Sequence, residues 1–304
     1  MSIAHGMKTI GVLGAGQMGL GIAYVAAVRA GVSVLLYDRS KDQMAKGMKL
    51  MDKLLEKEVN KGKIESSVAK EARDRVTLID HASDGIREMR DVDMCVEAAS
   101  ENFALKAKLF ANMAKELRPN AILASNTSSI SITKIAAASI PEGETAASEA
   151  GKASASRVVG LHFFNPVPVM PLVELISGLQ TSEETLERAR AFAIACGKEV
   201  TVSKDVPGFV SNALLMPFLN EAIMCLEKGV ATRDDIDKTL RLGMNHPMGP
   251  LTLADFIGLD TCLAIQRTLY EGTGDSKYRP SVLLERMVDA GWLGKKNGKG
   301  FYDY

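Results

Sequence analysis

An uncharged run from Ile10 to Val28, bracketed by Lys8 and Arg29, constrains this chain more than any other feature. Its 19 residues have the length of a membrane span or of a signal-peptide core. The glycines argue against both. Thr9-Ile-Gly-Val-Leu-Gly14 reads as a short β-rich strand ending in a glycine turn, and Met18–Ala30 carries small apolar residues at helical spacing. The run is therefore a buried strand, a turn and a buried helix, packed against protein on all sides.

The turn itself, Gly14-Ala-Gly16-Gln17-Met18-Gly19, fits G-x-G-x-x-G. Gly14 permits the tight turn and Gly16 lets the backbone approach a pyrophosphate. Gly19 lets the helix pack against the strand, and that helix's N-terminus offers N–H groups and positive dipole to the anion. A second strand, Val32–Tyr37, ends in Asp38, where an acid must stand to reach the adenosine ribose hydroxyls. A carboxylate repels a 2′-phosphate, which favours NAD over NADP, while Arg39 beside it keeps NADP open.

Strand and helix patterns then alternate. Lys41–Arg75 reads as a helical excursion of two helices broken at Lys61-Gly62-Lys63. Val76–Ile79, Val92–Val96 and Ala121–Ala124 read as strands, with a helix over Leu105–Leu117 between the last two. Strands resume at Val158–Phe164, Leu172–Ile176 and Glu199–Val202, and Thr181/Glu184 is read as the capping box of an intervening helix. The alternation predicts a Rossmann-type doubly wound α/β sheet over residues 1–204. From 205 to 304 every periodic segment is helical, which predicts an all-α C-terminal domain; its first helix is apolar nearly all round. Residues 141–156, rich in Glu, Ala, Ser and Gly, read as a mobile surface loop or frayed helix.

Composition bears on partners. Lys+Arg and Asp+Glu both number 37, so no overall basic excess exists to bind nucleic acid by counterion release. The four cysteines, without any C-x-x-C pair, read as buried reduced thiols of an intracellular protein. Histidines at metal-ligand spacing are absent from the sequence, so no metal is expected.

A dinucleotide site implies hydride transfer, and oxidising an alcohol also needs a base for the hydroxyl proton. His162 lies in a late apolar strand, ahead of Phe163-Phe-Asn-Pro-Val-Pro168. Glu174 interrupts the apolar strand Leu172-Val-Glu-Leu-Ile176, where a carboxylate is costly unless paired. The two suggest a His–Glu pair in which the acid fixes the imidazole tautomer; a satisfied core histidine is the plainer alternative. Ser125-Asn-Thr-Ser-Ser129 follows a parallel strand, as a ligand site or a helix cap would. Asn212 is an amide early in an apolar helix.

Taken together, Gly14–Gly19, Glu97-Ala-Ala-Ser-Glu101-Asn102, Ser125–Ser129, Gly160-Leu-His-Phe-Phe-Asn-Pro-Val-Pro168, Asp205-Val-Pro-Gly-Phe209, Pro247-Met-Gly-Pro250 and Gly298-Lys-Gly-Phe-Tyr302 resemble the 3-hydroxyacyl-CoA dehydrogenase family over nearly the whole chain. The resemblance implies NAD-dependent, reversible oxidation of an (S)-3-hydroxyacyl-CoA, in fatty-acid β-oxidation or butanoate metabolism. It implies His162 as general base oriented by Glu174, with Ser128 and Asn212 holding the substrate oxygen and the nicotinamide. By the same resemblance Glu101, Lys106, Asn165 and Lys296 join Gly14, Gly16, Gln17, Met18, Gly19, Asp38 and Ser128 as NAD contacts. Lys57, Lys61 and Ser128 are the implied CoA contacts, and a homodimer through the C-terminal helices is implied. A dehydrogenase of a free hydroxy (sugar) acid, or a non-catalytic NAD-binding protein, is the alternative.

Two departures stand out. Ala213 occupies a position where the family commonly has Arg, and residues 141–156 look like an insertion. No membrane span and no clear targeting segment is expected, which leaves mitochondrial matrix and cytoplasm open.

Overall fold

The computed structural model describes residues 5–304, so part of the leading segment weighed for targeting, residues 1–4, lies outside the described residues. The chain divides into two compact units, Met1–Asp205 and Val206–Tyr304.

The first unit is an eight-stranded sheet with the order β3-β2-β1-β4-β5-β6-β7-β8. The strands are β1 (Thr9–Leu13), β2 (Ser33–Tyr37), β3 (Val76–Leu78), β4 (Met94–Glu97), β5 (Ile122–Ser125), β6 (Val158–Phe163), β7 (Leu172–Ser177) and β8 (Glu199–Lys204). The first six pair in parallel. Every residue of β4, β5 and β6 is buried, as expected of parallel strands covered on both faces. Helices α1 (Gln17–Val25), α2 (Lys41–Asn60), α3 (Ser66–Asp74), α4 (Gly85–Glu88), α5 (Phe103–Glu116), α6 (Ile132–Ala138), α7 (Glu149–Ser156) and α8 (Glu183–Ala195) complete the unit. The uncharged run resolves into β1, α1 and a π-helical turn, Ala26–Ala30. Among the described residues no helix is long and apolar enough to cross a membrane.

One strand breaks the alternation. Between β6 and β7 lie only residues 164–171, with prolines at 166, 168 and 171. That is too short for a crossover helix, so β7 returns antiparallel to β6. β8, reached through α8, is parallel to β7.

Two local readings need correction. Residues 141–156 are not a loop throughout: 149–156 form α7, with Gly151, Ser154 and Ala155 buried. Ser148 Oγ accepts from Gly151 N at 3.1 Å, and Ser154 Oγ donates to Ser139 O at 2.6 Å. Small side chains let α7 pack closely, so it needs no large apolar residue. The start of α8 is capped by Ser182, whose Oγ accepts from Thr185 N, and not by Thr181. The Thr181 hydroxyl instead donates to Val158 O at 2.7 Å, tying the helix approach to β6.

The second unit consists of α9 (Ser211–Glu227), α10 (Arg233–Lys238), α11 (Pro250–Ile257), α12 (Leu259–Thr273) and α13 (Val282–Asp289), with short π and 3₁₀ turns. Its core includes Met216, Leu219, Ile223, Leu251, Leu263 and Leu284. Asp255, fully buried, accepts from Phe301 N and Tyr302 N at 2.9 Å and anchors the last residues. On the apolar α9, Leu214 is 68% exposed in the single chain.

Candidate active site

The antiparallel β6–β7 register sets His162 directly opposite Glu174. Facing residues of a strand pair project to the same side of the sheet, within reach of each other's side chains. His162 Nδ1 lies 2.9 Å from Glu174 Oε2, with both residues buried. A carboxylate only 2% exposed needs a donor, which assigns the Nδ1–H tautomer and puts the imidazole lone pair on Nε2. The Phe164 ring packs against the imidazole, with centroids 4.7 Å apart. Such a pair can take up a proton at Nε2, and the adjacent carboxylate stabilises the resulting imidazolium.

Beside this pair, the Ser125–Ser129 turn leaves the C-terminal end of β5. Asn126 Oδ1 accepts from Phe163 N at 2.8 Å, which ties the turn to the residue after His162. Glu101 gathers the rest of the turn. Its Oε1 accepts from Thr127 Oγ1 at 2.7 Å, Ser128 N at 2.8 Å and Ser128 Oγ at 3.1 Å. Ser129 N and Oγ add longer bonds to the same oxygen. Partial burial pushes the Glu101 carboxyl up, but Lys106 and these hydrogen bonds outweigh it and hold it below the usual glutamate value. Asp205 secures the far end of the segment by accepting from Ser131 Oγ, Ile132 N and Thr133 N at the start of α6.

At the other side of the sheet's switch point, β1 runs into Gly14 with φ +103°, where a Cβ would meet the Ala98 carbonyl. Gly16 caps α1 without a side-chain hydrogen bond, and a Cβ built on it meets nothing within 4 Å. Buried Gly19 lies close under the Gly14 carbonyl. Exposed Gln17 and half-buried Met18 open the helix. First-turn N–H groups without a side-chain cap, facing open space, suit a pyrophosphate. A pocket of about 600 Å³ adjoins, lined by Gly14, Gly16, Asp38, Arg39 and Asp84 among others. Asp38 accepts from Ala15 N and Ser40 N, each at 2.9 Å, and is thereby held at the end of β2. Open space over Gly16, an uncapped helix start and a carboxylate at the ribose end together fit NAD.

The remaining residues of interest are dispersed. Lys106 is only 1% exposed, and its ammonium lies 2.7 Å from Glu97 and 3.5 Å from Glu101. It sits beneath the Ser125–Ser129 turn rather than on an open surface. Asn165 is exposed in the loop after β6. Lys57 and Lys61 are exposed near the end of α2. Lys63 and Arg29 both lean on Glu58, at 3.5 and 3.6 Å. Asn212 and Lys296 belong to the second unit. Asn212 is buried in the first turn of α9, and Lys296 Nζ pairs with Asp260 at 2.5 Å. Ala213, where the family commonly has Arg, accepts a hydrogen bond from Tyr278 at its carbonyl. The sequence placed Asn126, Asp205 and the buried Glu97 in family-like motifs without giving any of them a role. Glu97 follows the strand Val92–Val96, which itself holds Asp93, so an acid at that place carried no signal of its own.

The fold and site define an NAD-binding dehydrogenase with a His–Glu pair. The chain belongs to the 3-hydroxyacyl-CoA dehydrogenase family: residues 9–206 match its NAD-binding domain, and residues 208–304 match its C-terminal domain. It is 48% identical over 298 residues, 98% of each chain, to a protein of Bacillus subtilis named probable 3-hydroxybutyryl-CoA dehydrogenase. It is 40% identical over 301 residues to human mitochondrial hydroxyacyl-coenzyme A dehydrogenase, covering 98% of this chain and 91% of that one. The crystal structure of (S)-3-hydroxybutyryl-CoA dehydrogenase from Ralstonia eutropha superposes with a TM-score of 0.89. That structure is 43% identical and covers 98% of this chain and 99% of its own.

Proposed function

We propose that the protein oxidises (S)-3-hydroxybutyryl-CoA and related short 3-hydroxyacyl-CoA esters to the 3-ketoacyl-CoA with NAD, and catalyses the reverse. The observation that carries this reading is the buried His162–Glu174 pair, set by register beside the Ser125–Ser129 turn. NAD, when bound, supplies the acceptor for the hydride from C3. His162 Nε2 takes the 3-hydroxyl proton in oxidation and returns it to the ketone oxygen in reduction. Glu174 stabilises the imidazolium and holds the ring in place. Ser128 holds the substrate oxygen, its hydroxyl turning from Glu101 Oε1 to donate to it, and, by family likeness, also touches the cofactor and CoA. The same likeness assigns Asn212 to the substrate oxygen and nicotinamide, and Glu101, Lys106, Asn165 and Lys296 to the cofactor. Family membership supports a role in fatty-acid β-oxidation or butanoate metabolism. Exposed apolar residues of the helical unit, including Leu214, Val230, Leu242 and Phe256, support a homodimer through that unit. The bacterial relatives favour the cytoplasm.

NADH oxidation driven by acetoacetyl-CoA tests the assignment. Robust turnover is expected, with NADPH at least 10-fold poorer in kcat/KM because Asp38 repels a 2′-phosphate. Free acetoacetate reduced as efficiently as the thioester would overturn the CoA reading.

The CoA phosphates are assigned to Lys57 and Lys61, exposed cations that enter no ion pair among the described residues. Each exposed contact is worth about 0.2–1 kcal/mol. Lys57→Ala with Lys61→Ala is therefore expected to raise KM for acetoacetyl-CoA roughly 2- to 30-fold with kcat nearly unchanged. The difference shrinks as salt is added. Steady-state kinetics at low and high ionic strength measure both, and an unchanged KM would remove these lysines from the site.

A further inference from the structure

Beneath the Ser125–Ser129 turn lies a charged group that the reaction does not use directly. Glu97 ends β4 with no exposed surface at all. Its Oε2 accepts from Ser125 Oγ at 2.7 Å, and its Oε1 accepts from Ala99 N at 2.6 Å. Both oxygens receive the Lys106 ammonium, at 2.7 and 2.8 Å. Lys106 stands farther from Glu101, 3.5 Å from Oε2. Glu101 spends its other oxygen on Thr127, Ser128 and Ser129.

A buried ion pair of this kind contributes little to fold stability, because desolvation offsets its Coulomb attraction; an apolar pair of similar volume serves as well or better. What such a pair does supply is position. Glu97 reaches the first residue of the turn directly and the last three through Lys106 and Glu101. Because Lys106 is bound more closely by Glu97, Glu101 is not fully neutralised, and its Oε1 keeps the charge that draws in the Ser128 backbone and hydroxyl.

We propose that Glu97 is a positioning residue for the dehydrogenase reaction, setting the place of the Ser128 hydroxyl through Ser125 at one end of the turn and through Lys106 and Glu101 at the other. The proposal rests on the reading of Ser128 as a ligand of the substrate oxygen. A misplacement of about 1 Å at a reacting centre can cost about 10²-fold in rate.

The test is a comparison of Glu97→Gln in two backgrounds, wild type and Ser128→Ala, by steady-state kinetics with acetoacetyl-CoA and NADH. Glu97→Gln in the wild type is expected to lower kcat roughly 10- to 100-fold, with a smaller rise in KM for NADH because Lys106 and Glu101 are also assigned to the cofactor. In the Ser128→Ala background the same substitution is expected to cost less than about 3-fold, since the group it positions is gone. Equal losses in both backgrounds, or a loss confined to KM for NADH, would overturn the proposal and leave the Ser128 reading intact. Wild-type kcat in Ser128→Ala alone would overturn that reading, and the proposal with it. Should Glu97→Gln not fold, Ser125→Ala carries the same comparison while leaving the Glu97–Lys106 pair in place. Its expected loss of roughly 3- to 10-fold must vanish in Ser128→Ala, and persistence there would overturn the proposal.

Discussion

Glutamine in place of His162 is expected to lower kcat for acetoacetyl-CoA reduction by roughly 10²–10⁴-fold, the usual worth of a positioned acid–base group. NADH affinity and the thermal unfolding midpoint are expected to stay near wild type. The choice of glutamine matters because Glu174 is 2% exposed and its Oε2 faces His162 Nδ1 at 2.9 Å. Alanine would leave that carboxylate without this donor, and a buried acceptor so abandoned costs about 1–3 kcal/mol or more. A carboxamide can still offer an N–H to Glu174, so the packing and the buried charge remain served. What glutamine cannot do is gain and lose a proton near neutral pH. The variant thus separates chemistry from folding. Fluorescence titration with NADH and a melting curve establish that the protein is intact, and the rate of NADH oxidation reads the loss. Turnover within about 3-fold of wild type would show that His162 is not the proton carrier.

Much of the sheet was legible because its strands are short apolar runs between turn residues, and β1, β2, β5, β6 and β7 fall where the pattern placed them. The site was legible only in part. His162 and Glu174 are twelve positions apart in sequence, and that spacing became a contact once the Pro-rich connection turned β7 antiparallel. Neither residue alone predicts the register. Glu97 was harder still. Read along the chain it is simply an acid after Val96, and its meaning depends on Lys106 reaching back to it from the first turn of α5. Long-range charge pairing of that kind leaves no periodic trace. The two local misreadings share a cause. Hydroxyl residues cap helices in several equivalent ways, and only the surrounding carbonyls decide between Thr181 and Ser182, or whether the Ser148 segment forms α7.

The two glycines of the nucleotide turn are expected to fail in different ways. Gly16→Val is predicted to weaken NADH binding by roughly 10- to 150-fold while leaving the fold nearly as stable as before, because it removes at least one charge-assisted backbone bond worth about 1.5–3 kcal/mol. Its backbone, φ −68° and ψ −174°, suits any L-residue, and a Cβ there meets no protein atom within 4 Å. The side chain therefore projects into the space that a pyrophosphate must enter to reach the first N–H groups of α1. Losing glycine at a helix N-cap costs the fold no more than about 1 kcal/mol. Gly14→Ala has the opposite signature. At φ +103° a side chain is strained, and its Cβ would lie 2.7 Å from the Ala98 carbonyl oxygen. Positive-φ strain alone costs about 1–3 kcal/mol, so this variant loses stability first and binding as a consequence. Fluorescence titration with NADH beside thermal melts distinguishes the two. If Gly16→Val bound NADH as tightly as wild type, the cofactor's phosphates could not lie against this turn, and the first unit would have to hold NAD in some other way.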